Sequence, residues 1–125
     1  MQYRQMGTSG LKVSPICLGA LMFGEETSSA TARRIVAMAR DAGINFIDTA
    51  DCYGYSEARI GRYISHRRDE FTLATKCGCI PKGRDWNRDN LIVGLERRLK
   101  RLRTDYVDIL ELLPCRCDRD CKSGY

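Results

Sequence analysis

The sequence predicts an α/β fold built on a parallel sheet, and three observations predict it. Short apolar runs alternate with amphipathic stretches along most of the chain. The amphipathic stretches are bounded by helix start and stop residues. The apolar runs recur roughly every 30 residues, the size of one βα unit.

The elements follow in order. Residues 1–15 read as a β-hairpin in which "YRQM" and "LKV" flank the turn "GTSG", with Pro15 closing it. Ile16-Cys17-Leu18 is a short strand ending at Gly19. Ser28 or Ser29 caps a helix running to about Asp41, with Ile35, Val36, Met38, Ala39 and Ala42 on its apolar face and Gly43 at its stop. The strand Ile44 to Ile47 comes next and runs into Asp48. A second helix starts near Ser56, with Glu57 in its first turn and Ile60, Tyr63 and Ile64 on its apolar side; "SHRRDE" ends it. Phe71 to Thr75 is a strand ended by Lys76. After the loop "CGCIPKGRDW", Asn87 caps a third helix on which Leu91, Ile92, Leu95, Leu99 and Leu102 recur at helical spacing. Tyr106 to Leu112 is the last strand-like run.

Alternating β and α segments with short links imply right-handed crossovers. A doubly wound sheet and a (β/α) barrel both satisfy that order. The turn Gly19-Ala20-Leu21-Met22-Phe23-Gly24 lacks the G-x-G-x-x-G spacing of a dinucleotide-binding doubly wound sheet.

Composition narrows the function classes. The 125 residues suit about one small domain, and 43% hydrophobic with 30% charged residues is ordinary for a globular protein. The net charge of +5 is mild, and clusters such as "ERRLKRLR" lack the stacking aromatics of a nucleic-acid surface, so a solvated helix face is expected there. No apolar run approaches the roughly 20 residues of a membrane span, and "MQYRQMGTSG" has no signal core, so no membrane partner and a cytoplasmic location are expected. Free thiols are then expected at Cys17, Cys52, Cys77 and Cys79.

Chemically capable side chains gather where strands end. Asp48 follows one strand, Lys76 follows the next, and Tyr53 lies in the loop just after Asp48. All three belong to C-terminal strand ends, the face that carries the site in barrels and open α/β sheets alike. Singly, the bland reading is favoured for each: Asp48 as a cap or loop residue, Tyr53 as loop packing, Lys76 as a solvated strand end. Together they form an acid–base set. An acid closing a buried strand needs a partner, and Lys76 is the partner expected for Asp48. A lysine held between the acid and the phenol would lower the phenol pKa from its usual value of about 10 and let Tyr53 exchange a proton near neutrality.

At this point the chain resembles the aldo-keto reductase family. "VSPICLGALMFG" looks like its first strand and cofactor-facing turn, and "FIDTADCYGYSEARIGRYI" like its most specific signature. "DEFTLATKCG" is similar to its lysine-bearing strand, and "NRDNLIVGLERRLKRLRTDYVDILEL" to its third helix and fourth strand. The resemblance implies the N-terminal part of a (β/α)8 TIM barrel with a capping β-hairpin, about four βα units over residues 1–112. It implies an NADPH-dependent oxidoreductase, sometimes using NADH, that reduces a small carbonyl substrate to an alcohol. Carried across, Tyr53 is the proton donor, assisted by Lys76 and Asp48. Gly19, Ala20 and Leu21, with Asp48, line the nicotinamide ribose and substrate entrance.

Two departures qualify that implication. Leu113 stands where the family's fourth strand ordinarily ends in a histidine, and leucine neither donates nor accepts a hydrogen bond. His66, the single histidine, lies at the end of the second helix and is expected to be solvated. A complete barrel takes ~250 residues. The expectation is therefore an incomplete barrel with an open sheet edge through which it self-associates or binds a partner, weak or inactive on its own; the alternative to an enzyme is a non-catalytic pseudoenzyme. Residues 113–125 read as an unrelated, disordered tail, with a reading-frame shift near codon 113 as its expected origin; a barrel-like continuation in another frame of the gene is the check. Cys115, Cys117 and Cys121 form a C-x-C-x3-C cluster without a fourth ligand, so no metal site is expected there.

Overall fold

The computed structural model describes residues 1–77 and 87–112. Cys79 and its loop, Leu113, and the tail with Cys115, Cys117 and Cys121 lie outside the described residues.

Strands β1 (Arg4–Gln5) and β2 (Lys12–Val13) form the expected antiparallel hairpin. Its turn needs left-handed backbone at Gly7 and Gly10, which glycine adopts without a Cβ penalty. The hairpin is tied to the chain entering the main sheet. Asn45 accepts from the Ser14 N–H at 2.7 Å and donates to the Lys12 carbonyl at 2.9 Å, while the Tyr3 hydroxyl donates to the Gly43 carbonyl at 3.0 Å.

The main sheet holds β3 (Cys17–Gly19), β4 (Phe46–Asp48), β5 (Thr72–Cys77) and β6 (Ile109–Leu112), all parallel. Its spatial order is the chain order. That order settles the choice the sequence left open: a doubly wound sheet reverses direction at a switch point, whereas a barrel adds each strand on the same side. Helices α1 (Ser29–Asp41), α2 (Ser56–Ile64) and α3 (Arg88–Leu102) connect the strands, with α2 packed against both α1 and α3. Ser28 caps α1 by accepting from the Thr31 N–H at 3.1 Å, and Asn87 caps α3 by accepting from the Asn90 N–H at 2.9 Å, satisfying amides that a helix start leaves unpaired.

The core lies between sheet and helices, where Ile47 and Leu73 meet Val36, Ile60, Ile64 and Leu102. Gly61 lets α2 and α3 touch, since a Cβ there would come within 2.5 Å of the Leu102 backbone. No helix among the described residues is long and apolar enough to cross a membrane.

Element ends differ from expectation for local reasons. Strand β4 starts at Phe46 rather than Ile44, because the Ile44 N–H closes the end of α1 on the Ala39 carbonyl and Asn45 is spent on the hairpin. Helix α2 stops at Ile64 and passes into a 3-10 turn over Ser65–Glu70, interrupted at Arg67 by non-helical backbone. Arg68 turns inward there to donate to the Phe71 carbonyl at 2.6 Å and to Asp108 at 2.5 Å. His66 in this turn is exposed, as expected. Strand β5 runs past Thr75 to Cys77, so Lys76 lies inside the strand rather than after it.

Candidate active site

Register places the acid–base set. Asp48 is the last residue of β4 and pairs with Gly19 on one side and Ala74 on the other. Lys76 lies two residues beyond Ala74 on the same face of β5. Its ammonium reaches back to form an ion pair with Asp48 and donates to the Thr49 carbonyl at 3.2 Å. The same ammonium lies over the Tyr53 ring, 5.6 Å from the centroid. Asp48, Tyr53 and Lys76 are therefore brought together, with Lys76 only 9% exposed.

The loop carrying Tyr53 is held by its own backbone and by the turn after β3. The Tyr53 N–H donates to the Ala50 carbonyl at 3.2 Å, and the Tyr53 carbonyl accepts from the Ser56 N–H at 3.0 Å. Gly24 lies against this loop: a Cβ there would collide with the Tyr53 carbonyl. Beneath, Thr49 and Ser56 hydroxyls pair at 2.9 Å and Ser56 donates to the Ala20 carbonyl at 2.7 Å, all three residues being fully buried.

Electrostatics correct one expectation. Burial alone would lower the Lys76 pKa, but its hydrogen bond to Asp48 and the Asp48, Tyr53 and Glu111 charges outweigh that and hold it above the usual lysine value. Tyr53 is also raised, not lowered. Lys76 does pull it down, but burial, aided by the negative charge of Asp48, pushes it up by more. Tyr53 is thus held protonated, as a donor must be before it acts. Burial pushes the Cys17 thiol up to about 11; the Asp48 and Glu111 charges add to that rise and Lys76 opposes it.

Gly19 and Leu21 are exposed beside Asp48, whereas Ala20 is not. Its methyl belongs to the core, its N–H donates to the Asp48 carbonyl at 2.8 Å and its carbonyl serves Ser56. Ala20 fixes the turn and presents nothing to a ligand.

Several positioning residues escaped the sequence reading. Glu57, 1% exposed, accepts from Thr75 at 2.7 Å and from Arg101 at 2.7 Å, joining α2, β5 and α3. Arg98, buried on α3, donates to the Lys76 carbonyl at 3.0 Å and pairs with Asp51. Burial raises the Asp51 pKa, and Arg98 offsets only part of that. Glu111 on β6 stands 3.9 Å from Lys76. The signal for Glu57 and Arg98 was present as a charge on a helix at the spacing of its apolar positions; for Arg101 and Glu111 only the packing and register reveal it. Cys17 and Cys77 are free thiols, as expected.

The family model for the aldo/keto reductase family matches residues 15–113. Among relatives, a probable voltage-gated potassium channel subunit beta of Arabidopsis thaliana is 38% identical over 119 residues, covering 88% of this chain and 36% of the relative. A 6-dehydroglucose reductase of Novosphingobium aromaticivorans is 37% identical, covering 88% of this chain and 40% of its own length. Among solved structures, a putative aldo-keto reductase of Pseudomonas aeruginosa superposes with a TM-score of 0.82 at 37% identity, over 88% of this chain and 45% of that one. The chain spans less than half the length of these relatives. With the family match extending over the sheet, the helices and the Asp48–Tyr53–Lys76 set, the chain belongs to the aldo/keto reductase family.

Proposed function

We propose that the chain supplies the acid–base half of a carbonyl-reducing site, in which Tyr53 donates a proton to the carbonyl oxygen of an aldehyde or ketone. The observation that carries this reading is the single ammonium of Lys76, ion-paired with Asp48 and lying over the Tyr53 ring. Asp48 keeps the lysine charged and fixes its direction. Lys76 stabilises the phenolate that remains when Tyr53 gives up its proton. Burial keeps the proton on Tyr53 until then.

The described residues fit the nicotinamide end of NADPH or NADH. Gly19 is exposed beside Asp48 with no atom within 4 Å of where a Cβ would stand, which leaves room for a flat ring. Gly19, Leu21 and Asp48 would hold that end. When bound, the dinucleotide supplies a hydride to the carbonyl carbon. A cytoplasmic location accords with this chemistry.

The test is direct. NADPH fluorescence is titrated with the purified chain, and oxidation is followed with a simple aldehyde. Tyr53→Phe is expected to lower reduction by roughly 10²–10⁴-fold, the usual contribution of a positioned acid, while leaving NADPH binding intact. Unchanged reduction in Tyr53→Phe overturns the role of Tyr53.

A second reading, a non-catalytic half-barrel that binds a copy of itself or a partner chain, is favoured by the apolar side chains exposed on β6: Leu110 is 36% and Leu112 57% exposed. One relative is itself named as a channel subunit. NADPH binding without turnover, together with association, supports this second reading over the first.

A further inference from the structure

We propose that Glu111 is a positioning residue of this site: it faces Lys76 from β6 while Asp48 faces it from β4, so the ammonium is shared between two acids and part of its charge is withheld from Tyr53. This rests on the reading of Tyr53 and Lys76 as an acid–base pair.

The geometry follows from register. Lys76 and Glu111 are direct partners across β5 and β6, and direct partners in a ladder point to the same face. Asp48 lies on that face through its pairing with Ala74, two residues before Lys76. The order β4-β5-β6 therefore makes a row of acid, base and acid across three strands. The Glu111 carboxylate stands 3.9 Å from the ammonium.

An exposed ion pair at a rim is ordinarily worth little, and the Glu111 side chain is 47% exposed. Its partner is different: the Lys76 side chain is 11% exposed and already committed to Asp48, Thr49 and the Tyr53 ring. A charge added beside such a group acts through the protein as well as through water. The groups that face this cluster are Asp48 from β4, Tyr53 and Cys52 from the loop before α2, and Cys17 from β3. The Glu111 charge favours the protonated form of Tyr53, of Lys76 and of Cys17 alike.

Glu111→Gln keeps the size and hydrogen-bonding capacity of the side chain and removes its charge. Phenolate absorbance is titrated in Glu111→Gln and in wild type, each minus its own Tyr53→Phe counterpart, in the chain without dinucleotide. Tyr53 is expected to ionise at lower pH in Glu111→Gln, with Glu111→Asp returning the titration most of the way to wild type. A Tyr53 titration that is identical in wild type and Glu111→Gln, both folded by circular dichroism, overturns the proposal and leaves Glu111 a solvated rim charge. Should Glu111→Gln fail to fold, the same comparison on Glu111→Ser decides it, because either change removes the charge. Because no turnover is read, absence of reductase activity would defeat the catalytic reading without touching this result.

Discussion

At the scale of single residues, the site is a competition over where protons rest. Cys17, Tyr53 and Lys76 all have folded pKa values above their usual ones. The thiol and phenol are raised chiefly because burial disfavours their anions; the lysine is raised because Asp48 outweighs burial. Groups that bind protons more tightly when folded contribute stability that is fully present below their unfolded pKa. That stability is lost as pH rises through the folded value. For Cys17 the window runs from 9.0 to about 11; Cys17 is exposed, so water screens part of its effect, and the Tyr53 and Lys76 shifts act in the same direction. The melting temperature is therefore expected to fall as pH rises above about 9, and to fall less steeply in Tyr53→Phe. Equal slopes for wild type and Tyr53→Phe would show that the phenol has no part in it. The Asp48–Lys76 pair was legible in the sequence because an acid and a base each end an apolar run. The direction of the Tyr53 shift was not, because desolvation depends on how the folded chain packs around the side chain.

At the scale of elements, helix positions were legible and strand limits less so. Ser28 and Asn87 announce α1 and α3 because capping is a local, three-residue event. The bounds of β4, the end of α2 and the extent of β5 depend on distant partners: Lys12 and Ser14 for Asn45, Asp108 for Arg68. The tie among α2, β5 and α3 is of the same kind. Glu57 is buried and charged, and Arg101, its side chain 38% exposed, is the cation that compensates it. Losing one member of such a pair is costly when the group left behind cannot reach water. Arg101→Met strands the Glu57 carboxylate and is expected to cost about 3–5 kcal/mol. Glu57→Gln leaves Arg101 free to hydrate and still offers Thr75 an acceptor, so about 1 kcal/mol is expected. Urea unfolding of both variants gives the ranking; a Glu57→Gln loss equal to or larger than that of Arg101→Met would refute this account of the tie.

At the scale of the whole molecule, the described residues form four parallel strands where a closed (β/α)8 barrel has eight. In a closed barrel each strand is paired on both sides, and inward side chains fill the middle in layers. Here β3 and β6 are edges among the described residues, and Ile16, Leu110 and Leu112 are exposed near them at 55%, 36% and 57%. An open edge offers unpaired N–H and C=O groups to any strand that meets it, and apolar side chains beside it add a favourable burial term. Association through β6 should therefore strengthen with concentration. Leu112→Lys places a charge at the edge, the device by which natural sheets discourage such pairing. Sedimentation velocity over a range of concentrations is expected to show wild type moving to heavier species, and Leu112→Lys remaining lighter at the same concentration. A wild-type chain that stays monomeric throughout would mean that the β6 edge is already satisfied, and the partner-binding reading would lose the observation that favours it.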